Sequence, residues 1–169
     1  GTDFKKIYRR SFTGTFYCYN IATKKLTLIG KDIQEPTFSP DSKKIVYAKK
    51  NNIYILNLTN RNSLTQVTKD GKFNHIINGI TDWVYEEEFG FVRAFEWSKN
   101  SKYLAFLRFN ESKVPMFSMD IVGSGNYPNQ QVFKYPKAGE KNADVTLHMY
   151  TVSSKKTKKI TLGDYEYIP

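Results

Sequence analysis

Residues 37–48 read TFSPDSKKIVYA and residues 95–106 read FEWSKNSKYLAF, so one pattern occurs twice in the chain. In each copy an aromatic residue is followed by Ser, by Pro or Lys, by Asp or Asn and by Ser, and then by a short apolar run. Pro, Asp, Asn and Ser favour tight turns, whereas the flanking β-branched and aromatic residues favour strands. The repeat therefore predicts two antiparallel strand–turn–strand units in an all-β protein.

Further short strands follow each copy of the repeat. Residues 51–58 and 63–68 predict two strands after the first copy, and residues 145–152 and 159–162 predict two after the second. Four short strands and a link to the next four are typical of a β-propeller blade. We therefore predict a partial β-propeller of about two blades with flanking half-blades. The predicted blade pieces are residues 6–30, 36–68 and 94–162.

Two segments interrupt this blade pattern. Residues 76–91 predict an insert with a single helical turn around residues 84–88. Residues 115–139 predict an extended hairpin, because residues 116–122 and 131–135 are strand-like runs on either side of a glycine-rich turn. Met and Phe side chains make this hairpin a candidate contact surface, and an ordinary inner blade strand is the equal alternative.

The charge of the chain bears on its partners. Lys and Arg number 26 against 16 Asp and Glu, a formal net charge of +10, which can indicate an anionic partner such as nucleic acid. The lysines, however, occur as scattered pairs at polar turns, and no nucleic-acid motif accompanies them. We therefore predict solvated turn lysines and no nucleic-acid partner, and keep anion binding as the weakest alternative.

Several other classes of protein are disfavoured. No apolar run approaches the roughly 20 residues of a membrane-spanning helix, and no signal peptide pattern opens the chain, so we expect that segment to be absent or already removed. The single cysteine, Cys18, excludes an intrachain disulfide. The only histidines, His75 and His148, belong to no cluster with zinc spacing. We predict no metal and no cofactor.

The segment DWVYEEEF carries the most chemical information. It contains three consecutive carboxylates, Glu86, Glu87 and Glu88, flanked by aromatic residues that include Trp83 and Tyr85. Aromatic rings beside clustered acids predict a partly desolvated pocket that suits a cation, and a peptide α-ammonium group is one option. Its N–H donors form charge-assisted hydrogen bonds worth roughly 1.5–3 kcal/mol each, so a pair of carboxylates can hold it in a fixed orientation. A solvated helix face is the alternative.

Three segments together resemble a known family: residues 9–13 (RRSFT), 78–88 (NGITDWVYEEE) and 135–142 (YPKAGEKN). In order and spacing they are similar to the N-terminal β-propeller of the dipeptidyl peptidase IV family of serine exopeptidases, over about residues 6–160. The resemblance implies an eight-bladed propeller joined to an α/β-hydrolase domain, with the active site between them. It also implies release of N-terminal Xaa-Pro or, less well, Xaa-Ala dipeptides.

The resemblance assigns roles to individual residues. By motif matching, Glu87 and Glu88 correspond to the pair that binds the free amino terminus of the peptide substrate. Arg9 corresponds to an arginine that contacts a substrate carbonyl, and a shift of one residue would give this role to Arg10. Glu86 corresponds to the preceding acid and is expected to support the turn.

Other implications concern the surroundings of this site. Trp83 and Tyr85 are expected to support it. Residues 89–93 are one residue shorter than the typical run of the family, so we expect a different pocket wall. The stretch at residues 115–139 corresponds to an arm used for homodimerisation. The family also suggests an extracytoplasmic location.

The catalytic machinery itself is missing from the sequence. No Gly-x-Ser-x-Gly turn presents a nucleophile, so we predict no catalytic residue in this chain and no activity from it alone. A Ser-His-Asp triad would lie in the hydrolase domain of the parent chain. The alternative is a parent that is a non-catalytic propeller scaffold for protein–protein interaction. Because an unclosed set of blades exposes strand edges, we also expect self-association.

Overall fold

The computed structural model describes residues 1–59 and 62–163. In chain order the elements are β1 (Thr2–Lys6), β2 (Phe12–Asn20), β3 (Lys25–Phe38), β4 (Lys44–Lys49), β5 (Asn52–Asn57), β6 (Ser63–Gln66), β7 (Ile76–Asn78), α1 (Trp83–Glu88), β8 (Phe95–Trp97), β9 (Tyr103–Asn110), β10 (Met116–Ile121), β11 (Asn129–Lys134), β12 (Asp144–Thr151) and β13 (Lys156–Ile160). The predicted blade piece 36–68 includes residues 60 and 61, which lie outside the described residues.

The first sheet joins the first two predicted pieces through one long strand. Its order is β1-β2-β3-β4-β5-β6, with every pairing antiparallel. β3 runs without a break across residues 31–35, which the sequence analysis leaves between two blade pieces. Asp32 and Glu35 both have φ of 52°, and the register shifts between Gln34 and Thr37. These irregularities bend β3, so that its first half pairs with β2 and its second half with β4.

The second sheet has the order β13-β12-β9-β7, and β8 also pairs with β9. β7 pairs with β9 at residues 108–110, and β8 pairs with β9 at residues 104–106. The two short strands therefore follow one another along a single neighbour and act as one interrupted edge strand. The first three residues of the predicted insert are thus part of the blade, and residues 79–94 leave the sheet between them.

The hairpin of β10 and β11 forms a separate two-stranded sheet inserted between β9 and β12. Its register pairs Met116 with Lys134 and Ile121 with Asn129. We call residues 115–139 the arm. At its base, the Lys134 ammonium donates to the carbonyl oxygen of Val114 at 2.6 Å, and this bond ties β11 to the end of the blade.

The two copies of the repeat fold alike and touch. The Ser39 hydroxyl donates to Asp41 Oδ1 at 2.6 Å, and the Ser98 hydroxyl donates to Asn100 Oδ1 at 2.8 Å. The Asp41 amide donates to Ser101 Oγ at 3.0 Å. The turn residues that define the repeat in sequence therefore also join the two blades.

The two sheets share a core. Val46 and Ile55 of the first sheet pack in one buried cluster with Trp97, Leu104 and Phe106 of the second. Face-to-face packing of antiparallel blades is propeller architecture, so the prediction of an all-β, partial β-propeller is confirmed. No helix among the described residues is long and apolar enough to cross a membrane.

Candidate functional site

The candidate site lies on the excursion of residues 79–94 from the edge strand. The Ala94 amide donates to the Gly79 carbonyl oxygen at 3.0 Å and closes the base of this excursion. Gly79 has φ of +76°, and a Cβ atom there would lie 2.7 Å from Ile53 Cγ1. Both the backbone angle and the close approach require glycine. The excursion therefore leaves the sheet at a point that no other residue fits without strain.

Local sequence explains why α1 forms and ends where it does. Asp82 is the N-cap, and its Oδ1 accepts from the Tyr85 amide at 3.0 Å, which satisfies a donor that the first turn leaves free. Phe89 caps the other end, and Gly90 follows with φ of +75°, a typical helix stop. The helix is six residues long, so its position depends on packing.

Aromatic side chains fix that position. Tyr85 is 2% exposed, and its ring centroid lies 4.8 Å from that of Phe89 and 5.0 Å from that of Phe109. Trp83 packs on the arm, with its centroid 4.4 Å from that of Tyr135. The two residues thus hold α1 against Phe109 on one side and against the arm on the other.

Glu86 points into the protein. It is 1% exposed, and its Oε1 accepts from the backbone amides of Arg10 at 2.6 Å and Ser11 at 2.9 Å. These amides belong to the turn between β1 and β2, more than 70 residues earlier in the chain. Glu86 therefore joins the helix to the turn that carries both candidate arginines.

The structure brings Arg9 and Glu87 together. Arg9 Nε lies 2.9 Å from Glu87 Oε2, and the two side chains are 73% and 14% exposed, respectively. Arg10 takes another direction, since its Nη2 lies 3.8 Å from where a Cβ of Gly90 would be. Of the two arginines that the sequence leaves open, Arg9 is thus the one that pairs with Glu87.

Glu88 is exposed and has no hydrogen-bond or ion-pair partner within residues 1–59 and 62–163. Arg9 borders an open cavity of about 390 Å³ whose lining includes Arg10 and Phe12 but neither Glu87 nor Glu88. Glu88 therefore lies at the surface, whereas the Glu87 side chain is mostly buried beside Arg9.

Beneath this surface lies a group of buried acids. Burial raises the pKa of Asp82 to about 6. Burial, and then the charge of Asp82, raises the pKa of Glu111 to about 7, against the opposing effect of Lys134. Burial and the charges of Glu111, Asp82 and Glu86 raise the pKa of Tyr8 above its ordinary range. The first turn of α1 and the turn before β2 therefore share one electrostatic environment.

Metal ligation finds no support in this region. The described residues contain no group of three or more His, Cys, Asp or Glu side chains that could hold a metal ion. His148 stacks on Phe106, with centroids 5.4 Å apart, and its Nε2 lies 3.0 Å from Thr146 Oγ1. This histidine is thus a side chain of strand β12 in contact with its neighbours.

Comparison with known proteins identifies the family. The family model for the dipeptidyl peptidase IV (DPP IV) N-terminal region matches residues 1–168. The chain belongs to this family. In a crystal structure of dipeptidyl peptidase 4 from Porphyromonas gingivalis, a region 41% identical in sequence superimposes with a TM-score of 0.88 and covers 95% of this chain and 23% of that one.

Curated relatives of this DPP IV N-terminal region are named as peptidases. A probable dipeptidyl-aminopeptidase B of Talaromyces stipitatus is 40% identical over 164 residues, which is 87% of this chain and 18% of that protein. Prolyl endopeptidase FAP of Mus musculus is 37% identical over 150 residues, 86% of this chain and 20% of that protein. The chain spans about a fifth of the length of these relatives. The family resemblance predicted from sequence is confirmed.

Sequence reasoning missed two groups of residues around the site in this DPP IV N-terminal region. Asp82 follows a known signal, because an Asp directly before a helical turn is a good N-cap. Phe133 of β11 and Tyr135, which directly follows that strand, lie two residues apart and pack towards α1. Their period-2 spacing shows that they share a face, but no local pattern shows what that face contacts.

Proposed function

We propose that this chain is the substrate-recognition part of a serine-type dipeptidyl peptidase that releases N-terminal Xaa-Pro and Xaa-Ala dipeptides. In this proposal Glu87 and Glu88 bind the free amino terminus of the peptide, and Arg9 contacts a carbonyl of the same substrate. The nucleophile comes from an α/β-hydrolase domain in the parent chain. The observation that carries the proposal is the 2.9 Å contact between Arg9 Nε and Glu87 Oε2.

The charges of the three residues suit this role. Arg9 compensates one of the two carboxylates, and the Glu88 carboxylate is left for a second cation. An ammonium group offers three donors, and each charge-assisted hydrogen bond contributes roughly 1.5–3 kcal/mol. The remaining N–H groups of the mostly exposed Arg9 side chain can donate to a carbonyl oxygen one residue further along the substrate. The short helix α1 and the turn between β1 and β2 thus present one anionic and one cationic group side by side.

In this proposal the arrangement also selects against blocked or internal peptide segments. Such a ligand has no ammonium group, and its binding would desolvate Glu88 without giving that carboxylate a partner. Removing a charge from water without compensation is strongly unfavourable. The site would therefore fix the cleavage position, which is counted from the bound amino terminus of the substrate.

The test is a pair of substitutions, Glu87→Gln and Glu88→Gln, in the full-length parent enzyme. Each keeps the side-chain shape and removes the charge. We expect kcat/KM for a chromogenic Xaa-Pro substrate to fall by roughly tenfold or more, which corresponds to about 1.4 kcal/mol per tenfold.

Glu96→Gln is the matched control, because Glu96 is an exposed glutamate of β8 whose side chain pairs with Arg93. Its kinetics should match those of the wild type. Wild-type kinetics in both Glu87→Gln and Glu88→Gln would contradict the proposal. A parent chain without a Gly-x-Ser-x-Gly motif would favour the non-catalytic scaffold instead.

We also propose that the arm contacts a second copy of the parent protein. Side chains near its tip are strongly exposed, with Val122 at 87% and Tyr127 at 86%. Met119 and Ile121 add apolar surface on the same hairpin, and such a patch on a protruding element suits a protein contact.

In light scattering of the full-length parent, the double variant Val122→Asp with Tyr127→Asp should halve the mass. Ile21→Asp, at a site 84% exposed, is the control and should not change it. An unchanged dimer mass in the double variant would contradict this use of the arm.

A further inference from the structure

Phe133 connects the arm to both parts of the candidate site, namely the turn between β1 and β2 and the helix α1. The side chain is 3% exposed. Its ring centroid lies 5.6 Å from that of Tyr8 and 6.5 Å from that of Trp83. It also contacts two rings of the arm itself, Phe117 at 6.2 Å and Tyr135 at 6.1 Å. A single buried ring therefore touches three parts of the chain that are far apart in sequence.

The two contacts outside the arm are adjacent to the charged pair. Tyr8 directly precedes Arg9 in the turn between β1 and β2. Trp83 opens α1 and lies four residues before Glu87, so the two side chains project from the same face of the helix. A displacement of the Phe133 ring would therefore move the supports of Arg9 and Glu87 at the same time.

The arm is fixed well enough to act as such a support. The Tyr135 amide donates to the Pro115 carbonyl oxygen at 3.0 Å, next to the bond between Lys134 and Val114 at the base of the arm. Tyr135 in turn packs on Trp83 at 4.4 Å. The base of the arm thus holds α1 through two aromatic residues of β11 and its flank.

We propose that Phe133 is a positioning residue that sets the geometry of Arg9 and Glu87, and through it the preference for a substrate with a free amino terminus. The inference rests on the proposed function and adds to it a determinant of specificity outside the residues that touch the substrate. It also gives the arm a second role, because any contact that shifts the base of the arm shifts the site.

The test compares Phe133→Leu with Phe117→Leu in the full-length parent. Leucine keeps apolar volume and removes the ring. Phe117 packs within the arm against Phe133 and Tyr135 and has no described ring contact with Tyr8 or Trp83. The measured quantity is the ratio of kcat/KM for a chromogenic Xaa-Pro substrate to that for the same substrate with an acetylated amino group.

For Phe133→Leu we expect this ratio to fall on the order of threefold to tenfold, since two aromatic contacts near the site are lost. For Phe117→Leu it should stay at the wild-type value. A general loss of folding or of catalytic competence would lower both rates in proportion and leave the ratio unchanged. An unchanged ratio in Phe133→Leu, or an equal fall in both variants, would overturn the inference.

A double variant distinguishes failure of the positioning role of Phe133 from failure of the proposed function. If Phe133 acts through the acidic pair, adding Phe133→Leu to Glu87→Gln should lower the ratio no further. If Glu87→Gln and Glu88→Gln both leave the ratio at the wild-type value, the proposed function fails. If Glu87→Gln lowers the ratio and Phe133→Leu does not, only the positioning role fails.

Discussion

Replacing Glu86 tests how the site is held together. In Glu86→Ala the Oε1 atom that accepts from the amides of Arg10 and Ser11 is lost. Ser11 is 4% exposed, so its amide would have no water to replace that acceptor, at a cost of about 1–3 kcal/mol. Arg10 is exposed, and its amide regains a water at smaller cost. With the cavity left by the side chain, we expect a loss of about 3 kcal/mol in unfolding free energy.

Glu86→Gln keeps the acceptor oxygen and removes only the charge, so the expected loss is about 1 kcal/mol. For a protein of this size each kcal/mol shifts Tm by roughly 2–4 °C. Thermal unfolding followed by circular dichroism should thus show a decrease of about 6–12 °C for the alanine variant and about 2–4 °C for the glutamine variant. Glu88→Gln, an exposed neighbour, should unfold at the wild-type temperature. An alanine variant within about 2 °C of wild type would refute the reasoning.

Two further predictions concern stability. Burial raises the pKa of Glu111 from 4.5 to about 7, so the folded protein holds this proton more tightly than the unfolded chain. The contribution of Glu111 to the unfolding free energy is therefore complete below about pH 4.5 and is lost as the pH rises through about 7. Between these values, the stability difference between wild type and Glu111→Gln, measured by urea unfolding, should change by about 3 kcal/mol, and a constant difference would contradict it. Gly79→Ala should lose roughly 2–4 kcal/mol in the same assay, from φ of +76° and a clash with Ile53. Gly123→Ala, which meets no atom within 4 Å, is its control, and equal stability of the two variants would count against the strain argument.

The blades could be predicted from sequence because their signals are local. The repeated Ser-Pro-Asp-Ser and Ser-Lys-Asn-Ser turns fix where strands reverse, and apolar residues on either side supply the strands. β3 is the instructive exception. A strand that bends between two sheets needs a bulge, and Asp32 and Glu35 give no sign of their positive φ in the sequence.

The site could be predicted only in part. The acidic triplet and the family resemblance drew attention to the segment that the structure folds into α1. What the triplet contacts depends on pairs of residues far apart in the chain, such as Glu86 with Ser11, 75 residues apart. The packing of Phe133 against Tyr8 is of the same kind. Such contacts follow from how blades pack, which no local pattern encodes.

Three consecutive carboxylates repel one another, and the helix resolves this conflict. Successive residues of an α-helix project about 100° apart, so Glu86, Glu87 and Glu88 leave the axis in three directions. The first is buried on two backbone amides, the second pairs with Arg9, and the third faces solvent. A strand would have put the first and third on one face. The short helix α1, the one helix among the described residues, therefore allows one acid to fix the turn between β1 and β2 while Glu87 pairs with Arg9 and Glu88 stays exposed.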